Sequence, residues 1–277
     1  MKDNAGVPIF ILAGGLGTRL SEETHLRPKP MVEIGDIPIL VHIMRRYYAF
    51  GFNDFVICAG YRSWEIKNYF LTYPFRVNHL VTDHREGVSS RPDVFGANAA
   101  QERWRVRVID TGERTLTGGR LARAFDAVQG EAGTEDFGVT YGDGLADVEL
   151  DRELLFHREH GKTGTVLAVR PMARFGELDI HDGVVRNFSE KPEGTTQGLI
   201  NGGFFFFKRR FRDYLSPSED CILEREPVSS IATKGELRSY LHSGFWHPMD
   251  TLRDKTYLDE LWQSGKAPWK VLPDTAR

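Results

Sequence analysis

Cysteine is almost absent from this 277-residue chain: Cys58 and Cys221 are the whole complement. No cysteine pair has metal-ligand spacing. Cys58 lies in an apolar run and reads as a small buried hydrophobe. Such sparing use is expected of a reducing, cytoplasmic compartment. Long apolar runs are missing too, and none nears the roughly 20 residues that span a bilayer. Val7 to Ala13 is too short and too poorly flanked for a secretory signal. A basic excess is lacking: 36 Lys and Arg stand against 39 Asp and Glu, a net charge of −3. That balance offers no nucleic-acid surface. The nine histidines never form His-x-x-x-His or His-Glu-x-x-His, which argues against zinc hydrolysis. Gly-x-Ser-x-Gly is absent, which argues against an α/β-hydrolase. With no repeat, low-complexity tract or linker, a single domain over residues 1–277 is the simplest organisation. A hydrophobic content of 40% is ordinary for a globular protein and sufficient for a large core.

What is present concentrates near the N-terminus. Leu12-Ala13-Gly14-Gly15-Leu16-Gly17-Thr18-Arg19-Leu20 follows the apolar stretch Ile9–Leu12, which reads as a buried strand. Glycine lets the backbone approach a ligand closely, and successive N–H groups in a tight turn form an anion-binding concavity. Arg19 adds a cationic fork suited to phosphate oxygens. Lys29 sits between Pro28 and Pro30, whose fixed φ angles stiffen the segment that carries it. No Gly-Lys-Ser or Gly-Lys-Thr closes the run, so it is not a P-loop. Gly-x-Gly-x-x-Gly does not occur there, so it is not the dinucleotide pattern. A Gly-rich turn alone is commonly only a turn. The turn, the arginine and the proline-caged lysine together suit a nucleoside triphosphate.

Strand and helix patterns alternate through the first half. Strands are expected at Pro8–Leu12, Asp54–Ala59, Val77–Val81, Val106–Asp110, Phe137–Tyr141 and Thr165–Val169. Helices are expected at Ile39–Phe50, Trp64–Leu71, Arg120–Val128 and Leu154–His160. This order implies an α/β fold, a Rossmann-like mixed, mostly parallel sheet flanked by helices. Residues 83–105 are polar and aperiodic and read as a loop insertion. Beyond residue 170 a hairpin is expected from Leu178–Ile180 and Val184–Phe188. The apolar strand Phe204–Phe207 follows, then helical stretches at Phe211–Leu215, Glu226–Thr233 and Leu252–Trp262.

Tyr141-Gly142-Asp143-Gly144 ends a predicted parallel strand, where open α/β sheets bind ligands. An aspartate between two glycines is uncrowded and can face a metal ion. Asp250, in His247-Pro248-Met249-Asp250-Thr251, could complete a metal pair; taken alone it reads first as a helix N-cap. One or two carboxylates plus substrate phosphates are the usual ligands of Mg²⁺. Glu190-Lys191-Pro192 could supply a second phosphate clamp or simply a solvated surface. Asn201-Gly202-Gly203 offers amide donors and an acceptor suited to sugar hydroxyls. Thr111-Gly112 and Thr117-Gly118-Gly119-Arg120 precede a helix whose first N–H groups could meet an anion, with Arg120 adding charge.

The Gly-Gly-x-Gly-Thr-Arg-Leu run with its Lys-Pro resembles the sugar-1-phosphate nucleotidyltransferases. Within that class the chain is similar to the glucose-1-phosphate cytidylyltransferases. That narrower likeness rests on Ser21-Glu22-Glu23-Thr24, Asp110-Thr111-Gly112, Thr117-Gly118-Gly119-Arg120, Arg174-Phe175-Gly176 and the unusual stretch Phe245–Lys255. The resemblance implies the nucleotide-diphospho-sugar transferase fold, with residues 171–277 as sugar-phosphate-binding part and C-terminal extension. It implies transfer of CMP from CTP to glucose 1-phosphate by in-line displacement, with catalysis by positioning and charge neutralisation. It places Leu12, Ala13, Gly14, Gly15, Gly17, Thr18, Arg19 and Lys29 around the triphosphate, with Thr111, Gly112 and Arg120 as further nucleotide contacts. It places Mg²⁺ on Asp143 and Asp250, and the sugar phosphate at Gly142, Glu190, Lys191 and Asn201. Arg19, Lys29 and Lys191 are the implied catalytic cations. It also implies a symmetric homo-oligomer, without nucleic-acid or membrane partners. Another nucleotide or sugar remains open, as does a non-catalytic nucleotide-sugar sensor. A sensor would be expected to lose some of Arg19, Lys29, Asp143 and Asp250, and all four are present.

Overall fold

Pro8–Ala13 is apolar on both faces, so it is stable only between two covering layers. In the computed structural model it forms β1, an inner strand of the main sheet. The structure describes residues 4–15, 17, 20, 24–25, 27–81, 93–95, 102–128, 135–171, 177–182, 184–189 and 198–270. Among these, the sheet also contains β2 (Asp54–Ala59), β3 (Arg105–Asp110), β4 (Asp136–Tyr141), β5 (Gly164–Val169), β6 (Ile200–Lys208) and β7 (Leu237–His242). The spatial order is β7-β5-β6-β4-β1-β2-β3. Only β6 runs antiparallel to its neighbours, β4 and β5; the other pairings are parallel. The expected mixed, mostly parallel sheet is therefore the observed one.

The helices are α1 (Ile39–Ala49), α2 (Ser63–Val77), α3 (Thr117–Val128), α4 (Leu150–His160), α5 (Glu226–Thr233) and α6 (Leu252–Gln263). Alternation along β1 divides the core. Ile9, Ile11 and Ala13 face a layer that holds Ile39, Ile43, Tyr47, Ile66, Leu154 and Leu258. Phe10 and Leu12 face the opposite layer, with Leu121, Phe125 and Ile231. Gly51, at φ 89°, closes α1 as expected.

Several boundaries move. The expected strand Val77–Val81 begins only at His79, because α2 runs on through Pro74 to Val77. It does not join the main sheet. It pairs antiparallel with Asp93–Phe95, so the 83–105 segment contains a strand rather than loop alone. Phe211–Leu215 is a 3₁₀ helix, Arg209–Tyr214. The hairpin forms as Glu177–His181 against Val184–Ser189. The strand at Phe204–Phe207 extends back to Ile200, which brings Asn201-Gly202-Gly203 into the sheet.

From β1 the chain winds outward to β2 and β3, then returns to lay β4 on the other side of β1. Strand order reverses between β1 and β4. Open α/β sheets bind ligands beyond the carboxyl ends of the strands at such a reversal. Leu12 is in register with Tyr141, so the Gly-rich turn and the Gly142-Asp143-Gly144 turn leave the sheet side by side.

Candidate active site

A cleft of about 510 Å³ opens at this reversal. Its walls include Leu12, Ala13, Gly14, Gly15 and Gly17 from β1 and its turn, Lys29, and Tyr141, Gly142 and Asp143 from the end of β4. Arg120, Asn201 and Asp250 complete the set of expected residues found there. Arg19, Thr18, Glu190 and Lys191, also expected in the site, lie outside the described residues.

Lys29 begins a single 3₁₀ turn, Lys29–Met31, entered from Pro28 at φ −65° and continued by Pro30. Its ammonium donates to Asp143 Oδ2 at 2.6 Å and to Asp250 Oδ1 at 2.8 Å. The Lys29 side chain is 12% exposed. Burial would lower its pKa, but the charges and hydrogen bonds of Asp143 and Asp250 outweigh it and hold the ammonium above its ordinary value. The two carboxylates proposed as a pair thus meet at one point.

A short ribbon brings them there. Gly144–Ala146 pairs antiparallel with Trp246–Pro248, and the Met249 N–H donates to the Asp143 carbonyl at 2.8 Å. Asp250 is not the cap of α6. Thr251 holds that place in a capping box with Asp254, whose carboxylate also accepts from the Asp250 N–H at 3.1 Å. The Asp250 carboxylate is thereby turned toward Lys29.

The Gly-rich turn is braced from behind. Arg120 is buried, and its guanidinium donates to the carbonyls of Gly14 (2.7 Å), Gly112 (2.6 Å), Glu113 (2.9 Å) and Ala59 (3.3 Å). A Cβ on Gly14 would stand 2.1 Å from Arg120 Nη1, so glycine is required for that approach. Burial lowers the Arg120 pKa, and no carboxylate caps the guanidinium in those bonds. Arg120 reaches the cleft wall with both Nη groups already engaged. Gly17, at φ 63°, is held by Thr24, whose hydroxyl donates to the Gly17 carbonyl at 3.0 Å.

Three expectations change in detail. Thr111 is buried, with its hydroxyl and its N–H both on the Ala59 carbonyl, and neither it nor Gly112 lines the cleft. Thr115, Leu116 and Thr117 line it instead. The Gly118 and Gly119 N–H groups do not face an anion; both donate to the Cys221 carbonyl, at 2.9 and 3.1 Å. The helix start is covered by the 218–223 segment, which sequence periodicity does not reveal. Trp246 is a wall residue that sequence reasoning missed, and its Nε1 donates to the Gly202 carbonyl at 2.7 Å. Its place in the unusual Phe245–Lys255 stretch was the available signal.

No group of three His, Cys, Asp or Glu side chains suited to a metal occurs among the described residues. Asp143 and Asp250 offer two hard oxygen donors and leave the remaining positions to a ligand.

The sequence profile of the family described as Nucleotidyl transferase matches residues 9–247. The chain is 48% identical over 261 residues to glucose-1-phosphate cytidylyltransferase of Salmonella typhimurium, covering 94% of this chain and 98% of that protein. It is 39% identical over the same length to the probable glucose-1-phosphate cytidylyltransferase of Bacillus subtilis. Among solved structures, a putative glucose-1-phosphate thymidylyltransferase from Bacillus anthracis superposes with a TM-score of 0.65 at 17% identity, over 97% of this chain and 98% of that one. A UDP-glucose pyrophosphorylase bound to UDP-glucose gives 0.65 at 14% identity, over 94% and 99%. The structural likenesses speak for the fold.

Proposed function

The chain belongs to the nucleotidyl transferase family, and on that premise we propose that it transfers CMP from CTP to α-D-glucose 1-phosphate, releasing CDP-glucose and pyrophosphate. The observation that carries this reading is the Lys29 ammonium between Asp143 and Asp250, at the mouth of a Gly-rich turn in the switch-point cleft.

A phosphate oxygen of the sugar attacks the α-phosphorus of CTP, and the bond to the pyrophosphate oxygen breaks in line. The Gly14, Gly15 and Gly17 backbone, with Thr18 and Arg19 from the motif, cradles the triphosphate. Lys29 neutralises charge on the phosphates. Asp143 and Asp250 are the residues that would hold Mg²⁺, because they already converge their oxygens on a cation. Bound there, the ion would supply positive charge to the phosphate oxygens. Glu190, Lys191 and Asn201, with Gly142, take the sugar phosphate. Leu12 and Ala13 shape the floor, and Arg120 positions the turn. The same reading makes the active form a symmetric homo-oligomer in the cytoplasm. No helix among the described residues is long and apolar enough to cross a membrane.

The test is a nucleotide panel with glucose 1-phosphate and Mg²⁺, scored by pyrophosphate release. Cytosine carries an N4 amino donor where uracil has an acceptor. A pocket acceptor matched to that amino group is orphaned against UTP, so kcat/KM should favour CTP over UTP and dTTP by up to roughly 10⁴. Equal values for CTP and UTP would remove the cytidylyl assignment and leave general nucleotidyl transfer. CTP binding by calorimetry without turnover would point to a sensor instead.

A further inference from the structure

One wall of the cleft carries a hydrogen-bond chain whose direction is set at both ends by backbone groups. At one end the Gly203 N–H donates to Asn201 Oδ1 at 2.8 Å. That bond fixes which way the Asn201 amide faces. Its Nδ2 then donates to the Tyr141 hydroxyl at 3.2 Å. At the other end the Leu223 N–H donates to Thr117 Oγ1 at 2.9 Å. Each hydroxyl has a single proton to give. Tyr141 gives its proton to Glu224 Oε1, and Thr117 gives its own to Glu224 Oε2 at 2.8 Å.

Two donors therefore converge on Glu224 from two elements, the end of β4 and the start of α3. An ionised carboxylate accepts with both oxygens and donates with neither, so it closes both branches without conflict. An amide there would oppose an N–H to a hydroxyl proton. Thr117, Tyr141 and Asn201 all line the cleft, whereas Glu224 stands behind them just before α5. Glycine is required beside the chain, because a Cβ on Gly203 would meet the Tyr141 ring at 2.4 Å.

We infer that Glu224 is a positioning residue for the sugar 1-phosphate: acting through Tyr141, it locks the Asn201 amide so that the remaining Nδ2 hydrogen serves a sugar hydroxyl oxygen. The inference rests on the reading that Asn201 faces the sugar. Nothing in the local sequence around Glu224 marks it, since its two partners, Thr117 and Tyr141, come from a helix start and a strand end far off in sequence.

Steady-state pyrophosphate release tests this, run with whichever nucleotide and sugar 1-phosphate the wild-type protein turns over. Glu224→Gln keeps the size of the side chain but leaves one hydroxyl proton without its acceptor. It should raise KM for the sugar 1-phosphate about tenfold, the effect of one misdirected hydrogen bond of roughly 1.4 kcal/mol. Nucleotide KM and kcat should move by less than about twofold, because an interaction equal in ground and transition states affects binding alone. Tyr141→Phe should show the same rise, and the double variant should match Tyr141→Phe, since Glu224 acts through that hydroxyl. Should Glu224→Gln fail to fold, Tyr141→Phe and Asn201→Ala carry the same non-additivity test. An unchanged sugar KM in these variants, or an equal loss for both substrates, overturns the inference. A wild-type preference for another nucleotide refutes the CDP-glucose reading and leaves this split measurable with that nucleotide. If the wild type turns over no pair, the same tenfold shift is read in the sugar 1-phosphate Kd by calorimetry.

Discussion

Lys29 sets the charge balance of the cleft. Without it, Asp143 and Asp250 would face one another with no cation between them. Lys29→Ala should lower kcat/KM by roughly 10²–10³, as for loss of one preorganised charge donor. Pyrophosphate release at saturating Mg²⁺ measures it, and near-normal turnover would remove Lys29 from the mechanism. Asp143→Asn and Asp250→Asn should each raise the Mg²⁺ concentration needed for half-maximal rate; a Mg²⁺ titration of the initial rate decides. At this scale the motif residues were legible because glycine and proline bound them: Gly142 and Gly144 around Asp143, Pro28 and Pro30 around Lys29. Thr111 and Arg120 were not. Whether a hydroxyl or guanidinium faces a ligand depends on which carbonyls lie nearby, and here those belong to Ala59 and Gly14, far off in sequence.

The ribbon and α6 show how elements aim side chains. The Thr251–Asp254 capping box fixes the start of α6, and the Asp250 N–H is tied into the same carboxylate. Burial would raise the Asp254 pKa, but hydrogen bonds from Thr251 and His247 hold it below its ordinary value. Thr251→Ala should cost about 1 kcal/mol of stability, read as a lower urea midpoint at unchanged slope, while Thr251→Ser should cost little. The apolar strands were readable from composition alone, since β1, β2 and β4 are buried on both sides. Weakly patterned segments were not. The ribbon at His79–Val81 depends on a partner, Asp93–Phe95, that carries no strand signal of its own.

Across the whole molecule, buried titratable groups set opposing limbs of the stability profile. Glu153 is fully buried in the core, and burial pushes its pKa from 4.5 up to about 8. The folded state holds that proton where the unfolded chain has released it. Stability from this source is full below pH 4.5 and falls as pH rises through about 8. Burial pushes His157 down to about 3 and His42 down to about 4, from 6.5. Their contribution is full above pH 6.5 and is lost as pH falls toward those values. Glu153→Gln should therefore flatten the decline in Tm between about pH 6.5 and about pH 8, where the two histidines no longer contribute a slope, and leave the profile below about pH 4.5 unchanged. An unchanged alkaline slope in a pH series of thermal melts would contradict it.

By itself the sequence determined the fold class, the two Gly-rich strand ends and the choice of Lys29, Asp143 and Asp250 as candidate site residues. Each of these follows from short-range properties: apolar runs that must be buried, glycine that permits close approach, and proline that stiffens its neighbour. The tertiary structure decided which groups meet. Strand order placed the Gly-rich turn beside Gly142-Asp143-Gly144, and a short antiparallel ribbon delivered Asp250 to the same ammonium. It also assigned Arg120 to the backbone and the Gly118 and Gly119 N–H groups to Cys221. Hydrogen bonds require partners within about 3 Å and in line, a condition on positions in space that residue type and spacing along the chain do not express.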